Sequence, residues 1–304
     1  FPDLTVVSES HCQFHGVNVG QHAAGAWQVE SFGRGVYLFR WHKGFYLSPF
    51  LVAADGVTAF DPISAAAAVE YRVAIATVTD RPVTRLVYSH DHRDHIVGGA
   101  AFGQDLEVCA HPGVAERVLR RGHDDIVMPN VSLGDGAVIA TDSTHIEVHD
   151  FGPNHSDSNL LFVLPTDQGR MLVWVDGVEP DVAPYRNLPD TDFAGYLHSL
   201  DRATQLKFDF VVGGHTGPGE RRWVEDYRDY LLRLRDATDA AYRASGEQTP
   251  RTGEDGVAMT ERVRTEVTAT AARAIRDRFG HWAGFEQWAP MTADRILSFI
   301  ITGN

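Results

Sequence analysis

The 304 residues suffice for one large domain, or a domain with an appendage, and 43% hydrophobic against 22% charged content argues against disorder as the main state. A formal net charge of −14 disfavours binding along nucleic-acid backbones, which calls for basic patches, and the longest basic cluster here is only Arg117, Arg120 and Arg121. No apolar run is long enough to span a bilayer, and Cys12 and Cys109 form neither a CxxC pair nor a disulfide framework, although one disulfide between them is compatible with the sequence. A cytoplasmic chain that binds neither nucleic acid nor membrane is expected. Because the sequence begins Phe-Pro, a removed signal peptide, and with it a periplasmic or secreted location, is equally compatible.

Residues 1–30 give no clear pattern. The β-branched and aromatic run Gly35–Arg40 reads as a strand, Trp41-His42-Lys43-Gly44 as a hairpin turn, and Phe45–Val52 as the returning strand. Ala53-Ala54-Asp55-Gly56 is a second turn, followed by a strand over 57–60 that ends at Asp61-Pro62. Ala65–Ala76 is a helix by propensity. Arg85–Ser89 and Glu107–Ala110 read as strands, and His111-Pro112 opens a helix to about Arg121. Strands are expected over 138–140, 145–148, 160–164, 171–175 (ending at Asp176) and 208–212, with an amphipathic helix over 193–204. Trp223, Val224, Tyr227, Tyr230, Leu231 and Leu234 recur at helical spacing. A polar loop over 236–256, a helix over 257–279 and a short apolar terminal helix complete the chain.

The chemistry concentrates in Ser89-His90-Asp91-His92-Arg93-Asp94-His95, directly after an expected strand. Imidazole nitrogens and carboxylate oxygens are suitable metal ligands. Packing does not explain such density, because each imidazole needs a hydrogen-bond partner. Downstream, His155 lies in a turn, Asp176 follows an apolar strand and His215 lies in Gly213-Gly214-His215-Thr216-Gly217. Singly, each of these three reads first as a local hydrogen-bonder or cap; their order and spacing carry the signal.

The order His-x-His-x-Asp-His at 90–95, then His155, Asp176 and His215, resembles the metallo-β-lactamase superfamily over roughly residues 30–222. The resemblance implies an α/β fold, a four-layer αβ/βα sandwich over 1–222, with 223–304 as a C-terminal helical extension packed on it. It implies two metal ions, zinc with iron or manganese as alternatives, one held by His90, His92 and His155, the other by Asp94, His95 and His215. Asp176 bridges them, a bridging hydroxide is the nucleophile, and Asp94 is a further candidate to move a proton. Asp61 resembles the family carboxylate that orients a ligand imidazole, or is a simple strand-end turn with Pro62.

A bridging aspartate at 176 separates the chain from true β-lactamases, and His92 stands where flavodiiron proteins carry Glu. The stretch 155–219 looks most like hydrolases found around quinoprotein relay systems. The implied activity is hydrolysis of a small ester, lactone or thioester; a mononuclear iron persulfide-dioxygenase-like enzyme and a small-molecule phosphodiesterase are the alternatives. Candidate substrate contacts are Trp41, Phe45 and Tyr46 on the first hairpin, unless its alternate residues pack into the core as strand residues do, and Tyr185 and Arg186 on the loop after Asp176, which reads equally as plain surface. Trp282, Phe285 and Trp288 are expected to anchor the C-terminal helices, close the pocket or form a homodimer face.

Overall fold

Alternation of apolar side chains decides which surfaces meet. In β3 (Val36–Trp41), Val36 and Leu38 point to one face of the sheet while Phe39 and Trp41 point to the other. The same two-sided burial recurs in β11 (Leu161–Thr166), where Phe162 and Leu164 oppose Leu161 and Val163. Strands buried on both faces must sit inside a layered structure. The computed structural model describes residues 13–303 other than 44, 143 and 247, and it has that architecture.

The first sheet holds eight strands in sequence order: β1 (Val17–Gln21), β2 (Trp27–Gly33), β3, β4 (Tyr46–Ala53), β5 (Gly56–Phe60), β6 (Val83–Val87), β7 (Glu107–Ala110) and β8 (Val131–Ser132). Pairing is antiparallel as far as β5 and parallel from β5 to β8. The second sheet holds β9 (Val138–Ala140), β10 (His145–His149), β11, β12 (Gly169–Val173), β13 (Phe210–Val212) and β14 (Gly219–Glu220). Only β12 and β13 pair in parallel there.

Between the sheets lies a core that includes Leu38, Leu47, Phe60, Phe162, Val173 and Phe210. Phe60 meets Phe162 edge-on at 5.0 Å, one ring from each sheet. The outer face of the first sheet packs Phe39, Trp41 and Phe50 on Ala67, Tyr71 and Ala74 of α1 (Ala65–Val78) and on Val114 and Val118 of α3 (Pro112–Arg121). Helix α2 (Arg93–Ile96) is a single turn between them. The outer face of the second sheet packs Leu161, Val163 and Leu172 on α4 (Phe193–Ala203). The same cluster continues into α5 (Arg222–Ser245), α6 (Gly256–Phe279) and α7 (Phe285–Thr302). The layers therefore run helix, sheet, sheet, helix.

Sequence signals end the helices as expected. Ser64 caps α1 by accepting from the Ala67 N–H, and α3 starts at Pro112 and stops at Gly122, whose φ of 65° suits glycine. Several expectations need correction. Residues 13–33 contribute two strands where no pattern was legible. The polar loop begins only after Ser245, because Leu234 and Thr238 keep α5 buried and the pairs Arg233–Asp229 and Arg243–Asp239 support its exposed face. Helix α7 spans 18 residues, so the terminal helix is not short. Strand β12 stops at Val173, and Asp176 lies in the following turn with φ of 60°. Cys109 is buried and free; Cys12 lies outside the described residues. Trp282, Phe285 and Trp288 are 2–6% exposed within the α5–α7 cluster, as anchors would be. Among the described residues, no helix is long and apolar enough to cross a membrane.

Candidate metal centre

The parallel strands set the position of the site. The backbone leaves β5 into Asp61, β6 into Ser89 and His90, β12 into Asp176 and β13 into His215. All four therefore emerge at strand carboxyl ends, along one edge of the sandwich. His155 joins them from the turn between β10 and β11. The edge is fastened across the two sheets where Leu47 donates its N–H to Gly214 O at 2.8 Å.

The structure brings together all seven residues of the motif. His90, His92, His155 and Asp176 form one group and Asp94, His95 and His215 a second, with the ligand-type atoms of each within 4.8 Å of one another. Asp176 touches both groups. Its Oδ2 lies 3.6 Å from His90 Nε2, 3.3 Å from His155 Nε2 and 3.3 Å from His95 Nε2, and its Oδ1 lies 3.2 Å from His215 Nε2. Asp94 Oδ2 is 3.8 Å from His95 Nε2.

Outer partners choose which nitrogen of each ring faces inward. Asp61 is 1% exposed and accepts from the Ser89 N–H at 2.8 Å and the Ser89 hydroxyl at 2.6 Å. With that hydroxyl proton committed, Ser89 Oγ accepts from His90 Nδ1 at 2.8 Å, and His90 Nε2 is left as a lone pair aimed at the centre. Asp61 Oδ2 also lies 3.5 Å from His95 Nδ1, so this carboxylate faces two rings of the cluster, His95 directly and His90 through Ser89. His215 Nδ1 donates to Phe45 O at 2.9 Å. His92 is turned the other way: Nε2 meets Asp190 at 3.2 Å, and Nδ1 faces inward, 3.2 Å from His155 Nε2.

The charges follow from this crowding. Burial first, then the neighbouring His92 and His95, hold His90 well below the usual histidine range, so it is neutral. Burial opposes ionisation of Asp176, but the facing His95 and His215 outweigh it and hold its carboxyl well below the usual range. Buried Nε2 atoms of His90 and His95, and Oδ1 of Asp176, have no hydrogen-bond partner. Against the effect of burial, Asp176 raises the pKa of His95 and His215 above the usual histidine range, so without an ion their protons balance its charge; a bound cation would take the place of those protons and of the missing partner of His90 Nε2. The donor set of imidazole and carboxylate fits a metal such as zinc.

The candidate substrate contacts separate. Tyr46 is at the site: its hydroxyl donates to Asp94 Oδ2 at 2.9 Å, and its ring centroid is 4.5 Å from that of His215. Burial, then the charge of Asp94, push its phenol above the usual range, so it stays protonated. Phe45 contributes its carbonyl to His215. Tyr185 is 43% exposed, rests edge-on against Trp288 at 5.2 Å and acts electrostatically on Tyr46. Arg186 is exposed on the same loop, and its carbonyl accepts from Thr292 of α7. Trp41 corrects the expectation: strand alternation turns it, 6% exposed, into the helix-facing core beside Phe39.

Three solved or curated proteins now become informative. Over 68% of this chain, the fold matches a metallo-β-lactamase from Erythrobacter litoralis with β-mercaptoethanol in its active site. That match covers 97% of the other chain, with a TM-score of 0.57 and 20% identity. The chain has the metallo-β-lactamase fold. A metallo-β-lactamase from Pontibacter korlensis agrees equally, with TM-score 0.57, 20% identity, and 68% and 99% coverage of the two chains. No family model matches the sequence. A curated protein, the 2,4-dinitroanisole O-demethylase subunit alpha of Nocardioides sp. (strain JS1661), is 30% identical over 174 residues, 56% of this chain. The chain spans about half the length of that relative, 52%.

Two groups escaped the sequence reading. Glu179, three residues after Asp176, accepts from the N–H groups of Gly214, His215 and Thr216 and from the Thr216 hydroxyl, and so shapes the loop that presents His215. Asp190 reads in sequence as one of several polar loop residues; only the fold brings it to His92. A carboxylate shortly after the Asp176 turn was the available signal for Glu179, and for Asp190 there was none.

Proposed function

We propose that this metallo-β-lactamase-fold chain is a dinuclear metal hydrolase acting on a small ester, lactone or thioester. The observation that carries the proposal is the Asp176 carboxylate, with four imidazole nitrogens from two ligand groups within 3.6 Å of its two oxygens. His90, His92 and His155 would hold one ion, Asp94, His95 and His215 the other, and Asp176 both, with zinc as the expected metal. When bound, such ions lower the pKa of water toward neutrality and polarise the oxygen of the scissile group. The protein keeps His90 neutral and Asp176 ionised, as ligation requires, while His95 and His215, raised by Asp176 against the effect of burial, would each release a proton when an ion binds. Tyr46 remains a proton donor beside Asp94, whose carboxyl is held low despite burial by His95 and by the Tyr46 hydroxyl. Asp94, with a side chain 53% exposed, is the group placed to exchange a proton with substrate or product. Tyr185 and Arg186, exposed on the loop after Asp176, are the proposed further substrate contacts.

The curated relative supports a second substrate class, an aryl methyl ether such as 2,4-dinitroanisole, since it is a subunit of a 2,4-dinitroanisole O-demethylase. The Tyr46 ring against His215 and the exposed Tyr185 on the loop after Asp176 offer aromatic surfaces that suit a flat aromatic group. The zinc-loaded protein should be assayed against lactones, carboxylic esters, thioesters and 2,4-dinitroanisole. Turnover of one of the first three, abolished by Asp94→Ala and by His95→Ala, supports the proposal; turnover that survives both substitutions refutes it.

A further inference from the structure

The metal loop is tied to α3 by a run of charges that the reading above leaves unused. Asp91, inside the His-x-His-x-Asp-His stretch, is 1% exposed. Its carboxylate accepts from the Ser158 hydroxyl at 2.7 Å and from Arg121 Nη1 at 2.8 Å. Arg121 Nη2 in turn reaches 3.7 Å from Asp190 Oδ2, the atom that lies 3.2 Å from His92 Nε2. One guanidinium thus bridges a carboxylate of the metal loop and a carboxylate of the loop after Asp176.

That second loop is itself held from two sides. Thr191 O accepts from Arg295 of α7 at 3.0 Å, and the Thr191 hydroxyl donates to His155 O at 3.3 Å. The backbone of Asp190 stands at φ of 70°, a left-handed conformation that most side chains avoid and that Asp and Asn tolerate best. The chain holds this position although Asp190 buries little apolar surface there.

We infer that Asp190 is a positioning residue, whose carboxylate takes the Nε2 proton of His92 as a hydrogen bond and so presents Nδ1 to the metal centre. His92 differs from His90, His155 and His215 in facing the centre with Nδ1, so it needs an acceptor on the opposite side of its ring. Asp190 supplies that acceptor, and Arg121 together with the α7 tether at Thr191 fixes where it stands. The C-terminal helices thereby reach the metal centre through one loop. Outer partners of ligand histidines tune metal affinity by about 10–100-fold in comparable sites.

The inference rests on the metal-centre reading, and the test separates the two. Zinc affinity is measured by competition with a chromogenic chelator for wild type, Asp190→Ala, Asp190→Asn and Asp167→Ala, the last removing an exposed acidic charge paired with Arg34. Melting midpoints check folding; Asp192, which caps α4, is untouched. Asp190→Ala should weaken one zinc equivalent by about 10–100-fold. Asp190→Asn, whose amide oxygen still accepts, should recover most of that loss, and Asp167→Ala should match wild type. Nitrogen-15 correlation spectra of the zinc-loaded protein should show His92 protonated at Nε2 in wild type, with that single tautomer lost in Asp190→Ala. Wild-type affinity in a folded Asp190→Ala overturns this inference alone. A wild-type chain that binds no zinc overturns both readings.

Discussion

Removing the Glu179 carboxylate should cost more than any exposed ion pair in the molecule. Glu179 Oε1 accepts from Gly214 N–H at 2.6 Å and His215 N–H at 3.1 Å, and Oε2 accepts from Thr216 N–H at 2.6 Å and the Thr216 hydroxyl at 2.8 Å. Gly214 and Thr216 are buried, so in Glu179→Ala their N–H groups lose their acceptor with little access to water. The Thr216 hydroxyl retains Pro180 O at 3.1 Å as a second partner, which leaves three backbone donors stranded. At roughly 1–3 kcal/mol for each stranded donor, with some relief from entering water, the loss comes to about 3–5 kcal/mol, a large part of a typical domain's stability. Glu179→Gln keeps one oxygen but turns an amide NH2 toward Thr216 N–H, so it should fall between. Urea unfolding of the metal-free chains measures both. The same variants should hold zinc less well, because the released loop carries His215. Glu179→Ala within about 0.5 kcal/mol of wild type, the scale of an ordinary surface change, would refute the reasoning.

Four further outcomes follow from the structure. Tyr46→Phe removes a hydrogen bond to an ionised carboxylate, worth about 1.5–3 kcal/mol, so kcat/KM should fall by about 10–100-fold with metal content unchanged. Trp41→Ala should lower stability by about 3–5 kcal/mol and leave KM of the folded fraction unaltered, since Trp41 is a core residue. Burial pushes the Cys109 thiol up to about 11, so in a Cys12→Ser background a maleimide should not label the native chain at pH 7 and should label it after urea unfolding. The hydrogen bond from Arg262, then that from the Arg251 N–H, hold the Glu254 carboxyl down at about 2. A depressed folded-state pKa stabilises above the ordinary value near 4.5 and fades as pH falls toward 2. Glu254→Gln should therefore be less stable than wild type at pH 7 and converge with it in that acid window, as urea titrations at successive pH values would show.

The histidine cluster was legible because chemistry there is dense and local. Four candidate ligands lie within six residues, and the remaining three follow apolar strands at Gly- or Asp-marked turns, where a strand's carboxyl end must open into a loop. The apolar runs at 36–40 and 160–164 were legible as strands, but the two-sheet sandwich followed only from the family resemblance; the structure accounts for it by burying 36–41 and 161–166 on both faces. What stayed hidden depends on distant pairing. Residues 17–21 form an edge strand with little buried surface, so no alternation marks them. Asp190 meets His92 across 98 residues of sequence, and nothing in Leu-Pro-Asp-Thr-Asp distinguishes the aspartate that meets a ligand from the one that caps a helix. The aromatic hairpin tip reads either as a flap or as alternate rings packed into the core, and only strand register assigns Trp41 to the core.

The central claim is a centre for two metal ions joined by Asp176. Its most direct test is metal content per chain, by elemental mass spectrometry on protein purified without chelator and on Asp94→Ala prepared alongside. The account predicts close to two equivalents, mainly zinc, in the wild type and close to one in the variant. One equivalent of iron with little zinc in the wild type, unchanged in Asp94→Ala, would contradict it.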